Sequence, residues 1–155
     1  MHTDASLVVA FLNTVDIERA DDLLDDPKLW RRWAADHDTM PNDPAKARAV
    51  RDCLRAAVGD PRLPATTLDV PLRFTITDAG PSLLTPDAVT AVLAAATRLT
   101  IRGDWVRLKI CPKDGCLWAF YDESRNRSRT WCSMRVCGNR EKARSWRART
   151  AAVHN

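Results

Sequence analysis

The chain has 155 residues, of which 45% are hydrophobic and 28% are charged, and its formal net charge is +4 at pH 7. This length fits one ordinary domain, or one domain with a small metal module, since a core of this size buries roughly two-thirds of the unfolded surface. The sequence lacks a run of about 18 apolar residues, which excludes a membrane-spanning helix and a membrane partner.

The charge is distributed unevenly along the chain. Residues 1–97 contain ten lysines and arginines against fifteen acidic residues, a net charge of −5, whereas residues 98–155 contain fourteen against five, a net charge of +9. The two parts are therefore expected to have different roles. The first four residues, Met1-His2-Thr3-Asp4, lack the positive start of a secretory signal, so we expect a cytoplasmic protein with reduced thiols.

Four helices are predicted before residue 104. Thr3-Asp4 can cap a helix over residues 5–13, and Asp26-Pro27 and Asp43-Pro44 each combine a capping residue with a proline suited to the first helical turn. Thr85-Pro86-Asp87 predicts the start of the fourth helix. The third helix has apolar residues at helical spacing on one face, namely Ala47, Val50, Leu54 and Ala57.

The remainder of this part contains a loop and one strand. Residues 59–71 include one glycine and three prolines and predict a loop, and the alternation of apolar and polar residues over 72–76 predicts a single strand. We place a domain boundary near Arg102-Gly103-Asp104. The predicted domains are a mainly helical domain over 1–103 and a small finger over 104–155.

A β-hairpin and a helix are predicted for the finger. Residues 105–110 and 117–121 alternate between apolar and polar side chains, which is typical of two strands, and the connection between them contains Gly115 for a turn with positive φ. A helix should follow to about residue 152. The predicted fold class is thus α+β and mainly α, with a helical N-terminal domain followed by a zinc-bound β-hairpin–helix finger.

Four of the five cysteines form two C-x4-C pairs separated by fifteen residues: Cys111, Cys116, Cys132 and Cys137. Two paired-cysteine loops provide the ligands of a tetrahedral site, so we predict one structural zinc ion with a closed coordination shell. Disulfide bonds and a four-cysteine iron–sulfur cluster are the alternatives, and the spacing alone does not separate zinc from iron–sulfur.

The remaining candidate reactive residues do not form a catalytic pattern, so we expect the protein not to be an enzyme. Cys53 has no partner cysteine nearby in sequence and is predicted to be a small buried side chain. His2, His37 and His154 are scattered and are predicted to lie on the surface. The five glycines are isolated, which excludes a glycine-rich phosphate-binding loop.

The region around the second cysteine pair is strongly basic and contains a single acidic residue, Glu141. Arginine presents a planar fork that suits phosphate oxygens and guanine edges, so these residues are candidate nucleic-acid contacts. The candidates are Arg125, Arg127, Arg129, Arg135, Arg140, Lys142, Arg144, Arg147 and Arg149. An alternative is that some of them only balance the negative charge of four thiolates.

On the predicted C-terminal helix, Arg140, Arg144 and Arg147 would share one face, and Lys142, Trp146 and Arg149 another. Three aromatic residues near the cysteines are predicted to form the small core of the finger, whereas Trp146 is the better candidate for stacking on a base. The three are Trp118, Phe120 and Trp131.

The second cysteine pair lies in two short motifs, Trp131-Cys132-Ser133-Met134 and Cys137-Gly138-Asn139-Arg140, with the basic helix behind them. These residues resemble the CGNR zinc-finger family of bacterial proteins, and the resemblance covers roughly residues 105–149. The upstream residues that fit the same pattern are Cys111, Cys116, Trp118, Phe120, Asp122 and Ser124. Thr130 departs from the family, in which a basic residue is common at this position.

A second, shorter resemblance lies near the start of the chain, where residues 7–14 are similar to the opening of the ABATE domain. The two resemblances together imply a stress-related transcription regulator whose finger binds DNA, with the four cysteines as zinc ligands. We expect the N-terminal domain to sense a small-molecule effector or to form a homodimer. The region between residues 54 and 105 is short for this family, which argues for a reduced or absent effector pocket.

DNA is therefore the expected partner, and two fingers in a homodimer would impose a half-site spacing. The alternative from a different class is a protein-interaction adaptor whose basic finger binds an acidic protein partner.

Overall fold

The computed structural model describes residues 3–153, with side chains described for residues 3–150. The described part has an α+β fold with five α-helices and three two-stranded antiparallel sheets. The helices are α1 (Thr3–Leu12), α2 (Pro27–Asp36), α3 (Pro44–Ala57), α4 (Ala88–Ile101) and α5 (Asn139–Val153). The paired strands are β1 (Val15–Asp16) with β2 (Asp21–Asp22), β3 (Arg73–Thr77) with β4 (Gly80–Leu84), and β5 (Leu108–Ile110) with β6 (Ala119–Tyr121).

Local capping determines where three of the helices begin, as predicted. The carboxylates of Asp26, Asp43 and Asp87 accept hydrogen bonds from backbone N–H groups in the first turns of α2, α3 and α4. Thr90 completes a capping box with Asp87. Helix α1 begins earlier than predicted, at Thr3. Asp4 forms ion pairs with Arg98 of α4 and with Arg102, the residue that follows α4.

The helical core forms where α1 packs against α4, with α2 and α3 closing the sides. Phe11 of α1 contacts the rings of Trp30 and Trp33 of α2, and the two indoles stack with their centroids 5.2 Å apart. None of the helices within residues 3–153 has both the length and the apolar character needed to cross a membrane.

The buried face of α3 differs from the predicted apolar stripe. Ala47 and Val50 are buried, but the stripe continues through Arg51 and Arg55, whereas Ala57 is exposed. The two arginines can be buried because each has an acidic partner beside it, a half-buried one for Arg51 and a buried one for Arg55. Arg51 donates to Asp22 over 2.7 Å and Arg55 donates to Asp60 over 2.8 Å.

Two other side chains differ from their predicted burial. Cys53 is half-buried, and its thiol donates to the carbonyl of Thr66 over 3.3 Å. His37 is half-buried because its ring stacks on Trp33 at the C-terminal end of α2. The predictions that Cys53 is buried and that His37 lies on the surface are therefore wrong. The predictions for His2 and His154 fall outside the described side chains.

Two strand predictions are corrected. The strand predicted over 72–76 is β3, but it is not single, because β4 follows after a two-residue turn and pairs with it. The strand predicted to start at residue 105 starts at Leu108, and Trp105–Arg107 forms a short 3-10 helix that is closed by Asp104.

The hairpin of β5 and β6 packs on the helical core through its alternating side chains. Ala119 and Tyr121 belong to the helical core, whereas Phe120 points to the cluster of cysteines. The amide of Asn13 at the end of α1 exchanges two hydrogen bonds, of 2.8 and 2.9 Å, with the backbone of Ala119. Strand β6 thus connects the α1 end of the core to the cysteine cluster.

Candidate metal centre and basic helix

The first cysteine pair lies in the turn between β5 and β6, as predicted. Cys111 follows β5 and its N–H donates to the carbonyl of Trp118, and the N–H of Cys116 donates to the carbonyl of Lys113. Gly115 has φ of +75°, a left-handed conformation that glycine adopts without a steric cost. This turn brings both sulfurs to the same side of the hairpin.

The second cysteine pair lies at a turn that the sequence did not predict, with Cys132 before it and Cys137 within it. Ser133 caps a single π-helical turn over Met134–Gly138, and the N–H of Cys137 donates to the carbonyl of Ser133 over 2.9 Å. Helix α5 then starts at Asn139. A β-carbon at Gly138 would lie 2.6 Å from the sulfur of Met134, so a larger residue here would require the Met134 side chain to move.

The four sulfurs converge on one point. The Sγ atoms of Cys111, Cys116, Cys132 and Cys137 all lie within 4.8 Å of one another. Three of the sulfur–sulfur distances are 3.6, 3.6 and 3.7 Å. Zinc–sulfur bonds of about 2.3 Å in a regular tetrahedron give sulfur–sulfur edges of about 3.8 Å. The cluster therefore has the size of a four-thiolate zinc site.

The acidity of the thiols also fits a site that needs a cation. Burial raises the pKa of Cys116 to about 11, and burial also raises the pKa of Cys132. Burial acts in the same direction on Cys111, but hydrogen bonds from the N–H groups of Cys132 and Lys113 outweigh it and lower the pKa of Cys111. Four thiolates so close together repel one another, and a divalent cation that displaces the protons removes this cost.

The alternatives to a single ion do not fit this geometry. None of the five cysteines forms a disulfide bond, and the sulfurs of the cluster are too far apart for one. An iron–sulfur cluster distributes its cysteines over two or more iron atoms, which requires the sulfurs to be further apart than around one ion. Four sulfurs also complete a tetrahedral shell, and this leaves no position for a catalytic water.

Aromatic packing around the cluster confirms two of the three predicted core residues. Phe120 is buried and Trp131 is half-buried against the cysteines. Trp118 is 38% exposed, so its assignment to the core of the finger is wrong. It immediately precedes β6, and its carbonyl, not its ring, contributes to the site through the hydrogen bond from Cys111.

The loop between β6 and the second cysteine pair is organised by Asp122, a role that the sequence did not predict. Asp122 is fully buried, and its carboxylate accepts hydrogen bonds from Lys109, from Ser124 and from the N–H of Arg129. Burial opposes ionisation, but these hydrogen bonds outweigh it and hold the pKa of Asp122 well below its usual range. A buried carboxylate thus positions the segment that leads to Cys132.

The depressed pKa of Asp122 predicts an acid-dependent contribution to stability. Because the folded state binds this proton more weakly than the unfolded state, the contribution is complete above the ordinary aspartate pKa of about 3.9. It is lost as the pH falls towards the lower pKa of the folded state. We expect Asp122→Asn to be less stable than the wild type at pH 6 in urea unfolding, and we expect the difference to narrow at pH 3.

The control for this prediction is Asp36→Asn, which removes an exposed carboxylate whose ion pair with Arg32 spans 3.9 Å. A loss of stability for Asp122→Asn that is the same at both pH values would contradict the assigned role, because the loss would then be independent of ionisation.

The predicted nucleic-acid contacts near the cysteines differ in whether their guanidinium groups are already bonded within the protein. Arg125, Arg127 and Arg135 are exposed on the loop and turn that flank the cysteines. Arg129 is exposed too, but its guanidinium donates to the carbonyls of Trp131 and Cys132 and lies 4.9 Å from the ring centroid of Phe120. Arg129 therefore stabilises the cysteine loop.

Helix α5 presents its basic residues on two faces, as predicted. Arg140, Arg144 and Arg147 line a concavity with Lys113 and Asp114. Lys142 and Arg149 line a second concavity, of about 260 Å³, with Trp131 and Ser145. The described basic side chains of α5 are exposed, and Trp146 is 60% exposed.

The basic residues of the first face already have acidic partners. Arg140 lies 3.5 Å from the carboxylate of Glu18, and Arg144 forms ion pairs with Glu141 over 2.8 Å and with Asp114 over 3.8 Å. The hydrogen bonds to Arg144 lower the pKa of Glu141, so this carboxylate stays ionised. Some of the positive charge on this face is therefore neutralised within the chain.

Comparison with known proteins adds a family match to these observations. No curated protein sequence matches the chain at a significant level. Residues 107–150, which include all four clustered cysteines and most of α5, match the family described as CGNR zinc finger. Members of this family bind zinc, and the geometry of the four cysteines agrees with a zinc site in this chain.

Proposed function

We propose that the zinc finger binds duplex DNA and that the protein is a transcription regulator. The observation that carries this proposal is the exposure of five basic residues on α5, a helix that begins two residues after a zinc-ligating cysteine. The zinc ion would fix the direction of the helix relative to the rest of the finger. The positive side chains that would contact phosphates are thereby held on a rigid helix.

The second face of α5 is the better candidate for contact with DNA. Lys142 and Arg149 flank a concavity next to Trp131, and Trp146 is exposed on the same side of the helix. The first face includes Arg140 and Arg144, whose ion pairs with acidic residues would have to break before they bind phosphate. We therefore assign Lys142 and Arg149 of the second face as the main phosphate contacts, together with Arg147 of the first face, which takes no part in these ion pairs. Arg135, Arg125 and Arg127 lie beside them.

Nothing in this arrangement requires the recognition of a particular sequence. Positive side chains that neutralise phosphates release condensed counterions, so the affinity should fall steeply as salt rises. One finger with a single helix offers few contacts to base edges. A regulatory role in stress responses rests only on the resemblance of residues 7–14 to the ABATE domain, and it is a further part of this proposal.

The experiment is a salt titration of binding to a labelled random duplex, measured by fluorescence anisotropy. We expect the wild type to bind at low salt and the triple variant Lys142→Gln, Arg147→Gln, Arg149→Gln to bind more weakly. Each phosphate contact contributes about 0.9 to the slope of log affinity against log salt, so the slope should become shallower by about 2 to 3. The zinc content should stay unchanged, because these residues do not contact the cysteines.

The matched control removes the same charge from the N-terminal part, with Lys28→Gln, Arg31→Gln and Lys46→Gln, all three of which are exposed. We expect this variant to keep the wild-type slope. If the wild type does not bind duplex at low salt, or if both triple variants lose the same affinity, the proposal is wrong and an acidic protein partner becomes the better candidate.

A further inference from the structure

The hairpin of β3 and β4 exposes apolar side chains that neither core covers. Phe74 is 71% exposed and Ile76 is 82% exposed, which are large values for residues in the middle of a strand. The residues opposite them in the register are Leu83 and Pro81. Since cross-strand partners lie on the same face, these four side chains form one continuous apolar surface, which we call the hairpin face.

A hairpin in this position lacks the support that such elements need. Within the described residues, β3 and β4 form a sheet of two strands, and neither strand has a second neighbour. An isolated two-stranded hairpin is only marginally stable in water, and it becomes stable when further strands or a packed surface cover it. The hairpin face and the open strand edge therefore point to a partner that extends the sheet.

The hydrogen-bond pattern identifies which edge is available. Thr77 and Gly80 close a two-residue turn, so they form a hydrogen-bonded pair, and the pairs along the hairpin alternate from there. The pairs that contain Phe74 and Ile76 are consequently the non-hydrogen-bonded ones. The backbone N–H and C=O groups of Phe74 and Ile76 point away from β4 and are available to another strand.

The edge of β4 is blocked by the same alternation. Pro81 is the partner of Ile76, so its nitrogen lies on the outer edge of β4, where it has no hydrogen to donate. Proline at this position is a common protection of an edge strand. Strand β3 has no proline, and residues 73–77 include three β-branched residues and a phenylalanine, which favour extension of the sheet.

The sequence of β3 and its turn is complementary to itself in the antiparallel direction. A two-fold axis at Thr75 places Phe74 opposite Ile76 of the second copy and Thr75 opposite Thr75 of the second copy. Aromatic with β-branched and threonine with threonine are both favourable cross-strand pairs. Arg73 is then opposite Thr77 of the second copy, and Asp78 of the second copy follows that threonine in the turn, so opposite charges are neighbours at both ends of the pairing.

We propose that the protein forms a homodimer in which β3 pairs with β3 of a second copy to make a continuous four-stranded antiparallel sheet. We assign a second copy of this chain as the partner strand because Arg73 at one end of β3 and Asp78 at the other carry opposite charges, which an antiparallel pairing brings close together. The proposal does not depend on DNA binding. If DNA is bound, the dimer would carry two fingers related by a two-fold axis.

A charge-swap experiment tests this pairing by sedimentation equilibrium over a range of protein concentrations. The wild type should be a dimer. Arg73→Asp and Asp78→Arg should each raise the dissociation constant by about tenfold or more, since two attractive pairs become repulsive at each interface. An equimolar mixture of the two variants should restore the wild-type constant. In the mixed dimer, one chain has two acidic side chains at these positions and the other has two basic ones, so both pairs are attractive again.

A second variant blocks the edge without changing the charge. Ile76→Pro removes an outward N–H and leaves the hydrogen bonds between β3 and β4 in place, as Pro81 does on the other strand, so it should be monomeric. Its circular dichroism and zinc content should match those of the wild type. A wild type that is monomeric at all concentrations, or a mixture of charge variants that dissociates like either one alone, would overturn the proposal.

Discussion

Replacing Cys137 with serine is expected to reduce the zinc content from one ion per chain to none and to unfold the segment from Trp131 to the first turns of α5. This segment contacts the rest of the protein mainly through the sulfur cluster, Trp131 and Arg129. Zinc binding contributes about 10–16 kcal/mol in small zinc-finger peptides, which is as large as the folding free energy of a whole domain. Without the ion, the π-helical turn and the start of α5 lose their main source of stability.

Two measurements on the same protein check this expectation. Metal analysis gives the zinc content, and amide hydrogen exchange followed by mass spectrometry should show that Met134–Gly138 and the start of α5 lose protection. The amides of α1 and α4 should keep most of theirs, since the helical core has its own apolar contacts. Unchanged protection in a zinc-free variant would show that the ion does not organise the finger.

Cys53→Ser is the matched control, because it removes a thiol of the same size that is outside the cluster. The thiol of Cys53 is hydrogen-bonded to Thr66 and takes no part in the group of four. We expect this variant to keep one zinc ion and wild-type protection in the finger. Equal effects of the two substitutions would indicate a general sensitivity to the loss of a cysteine.

The second large effect is expected for Arg55→Leu, which should cost about 3–5 kcal/mol of unfolding free energy. Arg55 is fully buried and donates to the carboxylate of Asp60, to the carbonyl of Leu12 and to the carbonyl of Leu117, each over 2.7 to 2.8 Å. With leucine at this position, the buried charge of Asp60 loses one of its two arginine partners, and the carbonyls of Leu12 and Leu117 lose the hydrogen bonds from Arg55. Arg55 joins α1 and α3 to the turn that carries Cys116.

Urea unfolding measures this cost, and two further variants identify its origin. Arg62→Leu removes the outer partner of Asp60. The Arg62 side chain is 42% exposed, and its loss leaves no buried carbonyl unpaired, so this variant should cost less than Arg55→Leu. The double variant Arg55→Leu, Asp60→Leu removes both buried charges, so it should be more stable than Arg55→Leu alone. A cost for Arg55→Leu no larger than that for Arg62→Leu would contradict the structural role of the buried ion pair.

The sequence predicted those features that depend on a few neighbouring residues. The aspartates at positions 26, 43 and 87 mark helix starts because a cap acts over only two or three residues. The cysteine pairs are similarly local, and each pair lies in its own short turn. The prediction of one zinc site from these two pairs agrees with the convergence of the sulfurs.

The sequence did not predict features that depend on distant partners. The burial of Arg55 becomes favourable only when Asp60, Leu12 and Leu117 surround it, and Leu117 lies 62 residues away. The second strand of the hairpin was missed because Gly80 and Pro81 disfavour a strand locally, although Pro81 occupies an edge position where no N–H is needed. The role of Asp122 similarly depends on Lys109, thirteen residues earlier.

The central claim is that one zinc ion, bound by four thiolates, holds the two cysteine loops together. X-ray absorption at the zinc edge of the purified protein measures the ligand set directly. We expect four sulfur atoms at about 2.3 Å and no nitrogen or oxygen in the first coordination shell. A shell with fewer than four sulfurs, or a purified protein that is fully folded without zinc, would contradict the claim.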